Sequence, residues 1–313
     1  MKRVLITGAS GFIGRQCIPV LEGLGYEVHA VSSRGFAHGD DTAVRWHRAD
    51  LLDYGQVETL ISAVGPTHLM HLAWYVVPGK YLQSPENFRW TDATLKLSMS
   101  FAKHGGKRAV YAGTCFEYDP RFGYCTEDLT PARSESIYGS AKNAARETVC
   151  TWARTASLSV AWGRIFHLFG PDESPERLVP AIIAALCRKR RMPLTHGRQL
   201  RDFLHVHDVA RALAGILEDQ VEGVVNIGSG APITIRDLAL KIADQLDARD
   251  MLDFGALNAR PGEPDVLIPN VTRLHRELRW RPRFDLAEGL KDTIAWWLQS
   301  MRQTESRAGG SSA

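Results

Sequence analysis

The sequence predicts an α/β fold: a doubly wound parallel sheet followed by a smaller C-terminal α/β lobe. Three observations predict it. Short β-branched runs alternate with helix-like stretches through the first half; a glycine-rich turn, Gly8-Ala9-Ser10-Gly11-Phe12-Ile13-Gly14, joins the first run to the first helix; and Pro-rich turns break the rhythm beyond Pro171. Alternation of this kind belongs to a sheet covered on both faces, because each parallel strand needs a crossover before the next.

Taken in order, strands are expected at 3–7, 27–31, 43–47, 68–72, 109–112 and 159–163, with helices at 12–24, 54–63, 88–104 and 136–155. After Pro171, Pro175, Pro180 and Pro193, helices are expected near 206–217, 234–245 and 286–299, and the strand-like run Val224–Ile227 can return to the first sheet. The apolar stretch Leu178 to Cys187 runs into Arg188-Lys189-Arg190-Arg191, read as the solvated end of a helix where cations complement the dipole. Trp296 and Trp297 on the last amphipathic helix are expected to pack against the lobe. The expected organisation is residues 1–170 as the first domain, 171–303 mainly as the second lobe, and 304–313 as a polar, Gly/Ser-rich tail without fixed structure.

With 313 residues, 44% hydrophobic and 23% charged, the chain is long enough to bury a sizeable core. A formal net charge of +3 argues against nucleic acid as a partner. No apolar run is long enough to span a bilayer, so no membrane is expected either. The five cysteines are odd in number and show no Cys-x-x-Cys pair, so neither a disulfide framework nor a metal site is expected. No charged-then-apolar leader precedes Val4-Leu5-Ile6, which makes the cytoplasm the expected compartment.

Gly8, Gly11 and Gly14 lie between the first strand and the first helix. There the backbone must turn tightly and approach a pyrophosphate at a helix N-terminus, whose free amides and dipole favour anions. Phe12 and Ile13 pack the turn onto the sheet. This is a Rossmann-type nucleotide grip, though its spacing is G-x-x-G-x-x-G. An acidic residue at the end of the second strand would favour NAD(H) through the adenosine ribose. The chain instead offers Ser32, Ser33 and Arg34. A guanidinium pairs with a 2′-phosphate that a carboxylate would repel, so NADP(H) is favoured; the alternative is an ordinary solvent-facing arginine. Asp50 and Leu51 are placed to flank the adenine, and Leu72 and Ala73 to line the cofactor through their backbone.

Tyr138 and Lys142 are four residues apart, hence on one helix face with neighbouring tips. A nearby ammonium and a cationic nicotinamide are expected to favour the ionised phenol, giving a proton donor or acceptor for an alcohol–ketone couple. Thr114, after the fifth strand, supplies a hydroxyl to orient the substrate oxygen.

With these motifs, His71-Leu72-Ala73, Gly163-Arg164…Phe169-Gly170-Pro171, Arg201-Asp202-Phe203-Leu204-His205-Val206, Asn226-Ile227-Gly228-Ser229-Gly230 and Arg260-Pro261-Gly262, the chain resembles an extended short-chain dehydrogenase/reductase of the nucleotide-sugar epimerase/dehydratase/reductase superfamily. The resemblance runs over residues 1–300 and is strongest to a nucleotide-linked 4-keto-6-deoxyhexose reductase. It implies a Rossmann domain, a C-terminal sugar-nucleotide lobe, a nucleotide-sugar substrate and a homodimer joined through the helices of Phe88–His104 and Tyr138–Lys142. It also places Ile165 among the cofactor contacts.

The departures narrow the expectation. Dehydratases of the superfamily carry Asp-Glu directly after the catalytic Thr, where this chain has Cys115 and Phe116, with Glu117 one place late. Epimerases and decarboxylases mostly retain a tightly held NAD and show Asp where this chain has Arg34 or its neighbour. An NADPH-consuming reductase of a keto group is therefore the leading expectation, a nucleotide-sugar epimerase with recycled NAD(P) the second, and a non-catalytic NADP-sensing or scaffold protein the third. On the substrate side, His167 stands where relatives have Asn and is either a phosphate donor or a packed ring. Arg201 and Arg260 match positions that grip the diphosphate and nucleoside, with surface ion pairs as the alternative, and Arg177 is a weaker candidate for the same work. Trp74 is placed as an aromatic wall beside the sugar or as core. Cys115 is read as a small buried hydrophobe.

Overall fold

The structure, a computed structural model, describes residues 2–34 and 43–309, and of 305–309 the backbone alone. The apolar runs become β1 (Arg3–Thr7), β2 (Glu27–Ser32), β3 (Arg45–Arg48), β4 (His68–His71), β5 (Arg108–Thr114), β6 (Ser159–Ile165) and β7 (Gly223–Ile227). They form one seven-stranded sheet in the order β3-β2-β1-β4-β5-β6-β7, every neighbouring pair parallel. The order reverses between β1 and β4, and such a switch point opens a crevice at the carboxyl ends of those strands.

The helices are α1 (Phe12–Gly23), α2 (Tyr54–Val64), α3 (Glu86–Lys103), α4 (Ile137–Thr155), α5 (Leu178–Cys187), α6 (Val206–Glu218), α7 (Ile235–Gln245), the short α8 (Thr272–Arg276) and α9 (Leu286–Gly309). Their apolar stripes assign them to faces. In α2, Val57, Leu60, Ile61 and Val64 recur at helical spacing and are buried, so this stripe lies on the sheet. Local chemistry sets its ends: the Asp53 carboxylate accepts from the Gly55 and Gln56 amides, and Gly65 turns away at φ 56°. Helices α2, α3 and α4 share one buried cluster with Leu5, Leu69, Ala109 and Tyr111, while α1 and α6 share the other with Val4, Ile6, Met70 and Val110. Strand faces thus alternate residue by residue between two helical layers.

A second core, centred on Val179, Ile183, Leu238, Ile242, Leu290 and Ile294, holds α5, α7 and α9 together. Short strands floor this lobe: Leu200–Arg201 pairs with Ile233–Thr234 and Val266–Pro269, and Tyr124–Cys125 reaches across from the first half to the same strand. The run Val224–Ile227 lies in β7, so this stretch of the second half completes the first sheet. Trp297 packs on the lobe core.

One expectation is overturned in the tail. Residues 304–309 continue α9 through Gly309 rather than lacking fixed structure. Met301, Arg302, Gln303, Glu305, Arg307 and Ala308 are good helix formers, no proline interrupts them, and Thr304 Oγ1 bonds back to Ser300 O at 3.0 Å. Residues 310–313 lie outside the described residues. Strands β5 and β6 also run two residues longer than expected at their C-terminal ends, because their pairing continues to Thr114↔Ile165. Among the described residues no helix is long and apolar enough to cross a membrane.

Candidate active site

The glycine turn sits at the end of β1, against the end of β4. Gly8 adopts φ +67°, and a Cβ there would lie 2.8 Å from Ala73 N. A Cβ on Gly14 would lie 2.3 Å from Gly8 O, so the turn and the first turn of α1 can close only without side chains. Gly11 N donates to Gly8 O at 2.9 Å. Helix α1 begins at Gly11 with no side-chain cap and no acid in its first turn, unlike α2, capped by Asp53, and α4, capped by Ser136. Its leading amides and positive dipole end therefore fit a pyrophosphate. Ile13 packs into the sheet core, while Phe12 is half-buried and Gly11 exposed.

Behind the turn, Thr7 fixes the Leu72–Ala73 backbone. Its Oγ1 accepts from Leu72 N at 3.2 Å and Ala73 N at 3.3 Å and lies 2.7 Å from His71 Nδ1. His71 Nε2 meets Thr94 Oγ1 at 2.9 Å, and that hydroxyl already donates to Trp90 O. Nε2 must then carry the hydrogen and Nδ1 accept from Thr7. Burial, with the Lys142 charge adding, holds this imidazole neutral by pushing its pKa down to about 3.

At the end of β2, Ser32 is buried, and Ser33 and Arg34 are exposed. Ser32 Oγ lies 3.3 Å from Ser10 Oγ in the glycine turn and accepts from Arg34 N at 3.3 Å. Among the described residues no carboxylate follows Glu27 on this strand. Asp50 is exposed, and its carboxylate accepts from Leu52 N at 3.0 Å in its own turn. Leu51, expected beside the adenine, is buried in the core with Val57 and Leu60.

Thr114, Tyr138 and Lys142 converge where β5 meets α4. Gly139 explains how: a Cβ there would lie 2.0 Å from Phe116 O, so the first turn of α4 docks directly on the turn after Thr114. Asn143 Nδ2 donates to Glu117 O at 2.7 Å and pins the same contact. All three site residues are buried. Burial raises the Tyr138 pKa, the neighbouring Tyr81 phenol adds to the rise, and a hydrogen bond with Thr114 opposes it. Burial thus favours the protonated phenol, where the ionised form is expected beside an ammonium and a cationic nicotinamide. Burial also pulls Lys142 down to about 7, opposed by Glu117. Its Nζ donates to Ala112 O at 2.9 Å and sits 3.8 Å above the Trp74 ring. Ile165 ends β6 opposite Thr114 and is buried.

Glu117 is fully buried and fully engaged. Its Oε1 accepts from Thr114 N at 2.8 Å and Trp162 Nε1 at 2.9 Å, and its Oε2 pairs with Arg164 Nε at 2.7 Å. With Cys115 buried among Tyr118, Cys125 and Phe166, and its thiol pushed up by burial to about 12, the turn after Thr114 offers no free acid–base group.

The substrate-side candidates divide. Arg201 donates to the Leu200, Pro264 and Asp265 carbonyls and pairs with Glu263 at 3.2 Å, so its guanidinium ties two strands of the lobe floor together. Arg260 is exposed at the start of the turn that presents Glu263. Arg177, which leads into α5, places its guanidinium 5.2 Å over the Tyr81 ring, and Tyr81 stands edge-on to Tyr138 with centroids 4.9 Å apart. His167 lies 5.6 Å from the Phe203 ring, with Nδ1 buried and unpartnered; burial, then Arg201 and Arg177, push its pKa down to about 3. Trp74, read as an aromatic wall beside the sugar or as core, is buried. Its Nε1 donates to Asn87 Oδ1 at 2.8 Å, and its face is taken by the Lys142 ammonium. Tyr81 and Glu173 were not read from the sequence. Glu173 is held up to about 8 by burial, with Oε2 unpartnered, and only its place after Gly170-Pro171 could have signalled it.

Comparison with known proteins agrees with this geometry. The profile of the NAD dependent epimerase/dehydratase family matches residues 4–228. A dTDP-glucose 4,6-dehydratase of Streptomyces griseus is 30% identical over 94% of this chain and 93% of its own length. UDP-glucuronic acid decarboxylase 1 of Arabidopsis thaliana is 25% identical over 94% of this chain and 69% of its own. Among solved structures, MoeE5 in complex with UDP-glucose and NAD superposes with a TM-score of 0.82 at 30% identity, covering 96% of this chain and 99% of that one. The Thermus thermophilus UDP-glucose 4-epimerase complex with NAD gives 0.83 at 25% identity, covering 94% and 98%.

Proposed function

The chain belongs to the NAD dependent epimerase/dehydratase family, enzymes of the extended short-chain dehydrogenase/reductase superfamily that act on nucleotide sugars, and from that premise we propose that it is an NADPH-dependent reductase of a keto group, at C4, on a nucleotide-linked deoxysugar. The observation that carries the reading is the end of β2, where Ser32, Ser33 and Arg34 stand in place of a carboxylate, with Ser10 alongside. Hydroxyls, backbone amides and a guanidinium suit a 2′-phosphate. A reductase consumes its cofactor at each turnover and draws on the reduced NADP pool, whereas an enzyme that recycles NAD has no need of that phosphate.

When bound, the nicotinamide dinucleotide supplies the hydride that reduces the substrate carbon. The glycine turn and the first amides of α1 hold the pyrophosphate, with Leu72, Ala73 and Ile165 walling the cleft. Lys142 anchors the nicotinamide ribose. Tyr138, kept protonated by burial, gives its phenolic proton to the developing alkoxide and recovers one from solvent. Thr114 donates to the same oxygen and orients it. His167 and Arg177 line the substrate side, and Arg260 is the exposed guanidinium left for the diphosphate. The engagement of Glu117 by Arg164 and Trp162 supports reduction over dehydration, since water elimination needs a free acid–base pair beside Thr114.

The same reading includes a homodimer through α3 and α4, supported by Phe88 and Met99, which are 63% and 54% exposed on α3. The test of the cofactor assignment is a binding comparison of NADPH and NADH, wild type against Arg34→Ala. Preference for NADPH that collapses in the variant supports the reading. Equal affinities in the wild type overturn it and favour a nucleotide-sugar epimerase with retained NAD.

A further inference from the structure

Lys142 lies in an unusual place for an ammonium. It is 3% exposed, with Nζ 2.9 Å from Ala112 O and 3.8 Å above the centre of the Trp74 ring. A second ring, that of Trp162, lies 6.0 Å away. The charged groups around it are few. Glu117, from the turn after β5, is the carboxylate that faces it, but that carboxylate is already bound by Arg164 and Trp162. His71 on β4 is neutral, and Tyr138 on the same helix is protonated. Charge compensation at Nζ therefore falls to the Ala112 carbonyl and the π face beneath it.

The indole is built to stay there. Trp74 is 8% exposed, and its Nε1 donates at 2.8 Å to Asn87 Oδ1. The Asn87 amide in turn donates to Tyr81 O at 2.7 Å and Ser84 O at 2.8 Å. Asn87 is fully buried in the first turn of α3, so the ring plane is fixed by the fold rather than by its own rotamer.

We infer that Trp74 is a positioning residue of the active site: its ring, oriented by Asn87, holds the Lys142 ammonium charged and directed between the Ala112 carbonyl and the cleft. An ammonium has three N–H donors. One is engaged by Ala112 O and one faces the indole, which leaves one for a ribose hydroxyl of the dinucleotide. The inference rests on the proposed cofactor-anchoring role of Lys142 for its functional consequence, but not for its direct test. An ammonium over an aromatic face is stabilised electrostatically, best over tryptophan and less over phenylalanine. Removing that face while leaving the site dry disfavours the charged form.

The experiment follows the Lys142 side chain itself, by NMR titration of protein carrying labelled lysine, its resonance assigned by loss in Lys142→Met. Three variants are compared with wild type: Trp74→Phe, Trp74→Leu, and tetrafluorotryptophan incorporated at position 74, which keeps the volume and removes the attractive π face. The fluorinated ring is expected to lower the titration midpoint by about half to one pH unit, with Phe between it and wild type. The pH at which NADPH affinity falls away on the alkaline side should move down by the same amount, raising KM for NADPH more than it lowers kcat at neutral pH. Trp74→Leu can admit water or fail to fold, so the volume-neutral variant decides. An unmoved Lys142 titration in the fluorinated protein overturns the inference. The titration needs neither cofactor nor substrate. If wild type binds no NADPH while Lys142 still responds to the ring, the proposed function fails and this inference stands.

Discussion

Two clusters of polar side chains meet at the turn after β5 and differ in what their atoms are bound to. On one side Thr114, Tyr138 and Lys142 converge where β5 meets α4; burial holds the phenol protonated and brings the ammonium close to neutral pH in its titration. On the other side Glu117 is bonded by Thr114 N, Trp162 and Arg164, with Arg146 at 4.0 Å. The first cluster is the one proposed to act on a substrate oxygen. The second is a buried ion pair that shapes the backbone presenting Thr114. A carboxylate beside Thr114 is thus no sign of a second acid; its partners decide.

The comparison breaks most sharply by substitution. Tyr138→Phe should lower turnover by about 10²–10⁴-fold while leaving cofactor binding intact, read by steady-state kinetics beside NADPH titration. Comparable activity would remove Tyr138 from proton transfer. Glu117→Ala should act on the other side, on stability: it strands the Arg164 guanidinium, 1% exposed, and should cost about 3–5 kcal/mol in denaturant unfolding. A small stability loss with lost catalysis would instead make Glu117 a catalytic acid. Gly14→Ala, which places a Cβ 2.3 Å from Gly8 O, should weaken cofactor binding and cost about 1–3 kcal/mol of stability through overpacking.

A smaller effect is read in acid. His71 and His167 are held down to about 3 and His205 to about 4, in each case mainly by burial. Each is neutral when folded and takes up a proton when unfolded below its ordinary value of 6.5. The unfolded chain therefore binds more protons in this window, and stability is full above 6.5 and falls as the pH drops towards 3. Thermal unfolding between pH 7 and 4 should show the decline, and His71→Gln should flatten it in part. An unchanged slope in that variant would mean the site is not buried as described.

The legible part of the site was the part written in short spacings. Gly8, Gly11 and Gly14 declare a turn between strand and helix, and Tyr138 with Lys142 share a helix face wherever that helix goes. The sheet was equally readable, since each strand is a short apolar run bounded by turns. Functions set by distant partners were not readable. Glu117 is neutralised by Arg164, 47 residues on, and Arg201 by Glu263, 62 residues on. Trp74 reads from its place after His71-Leu72-Ala73 as a sugar wall or as core, and nothing in that spacing tells that α4 brings Lys142 onto its face. The burial of the phenol was unreadable for a related reason: spacing shows that an ammonium is near, whereas desolvation depends on everything packed around the pair.

The central claim is that the cluster of Thr114, Tyr138 and Lys142 reduces a ketone at the expense of NADPH. Its most direct measurement is NADPH oxidation by the purified protein against a panel of nucleotide-linked 4-keto-6-deoxy sugars, with the sugar products resolved alongside. One NADPH consumed per sugar reduced is the predicted result, abolished in Tyr138→Phe. Sugars interconverted with no net NADPH loss, or no oxidation with any member of the panel, would contradict it.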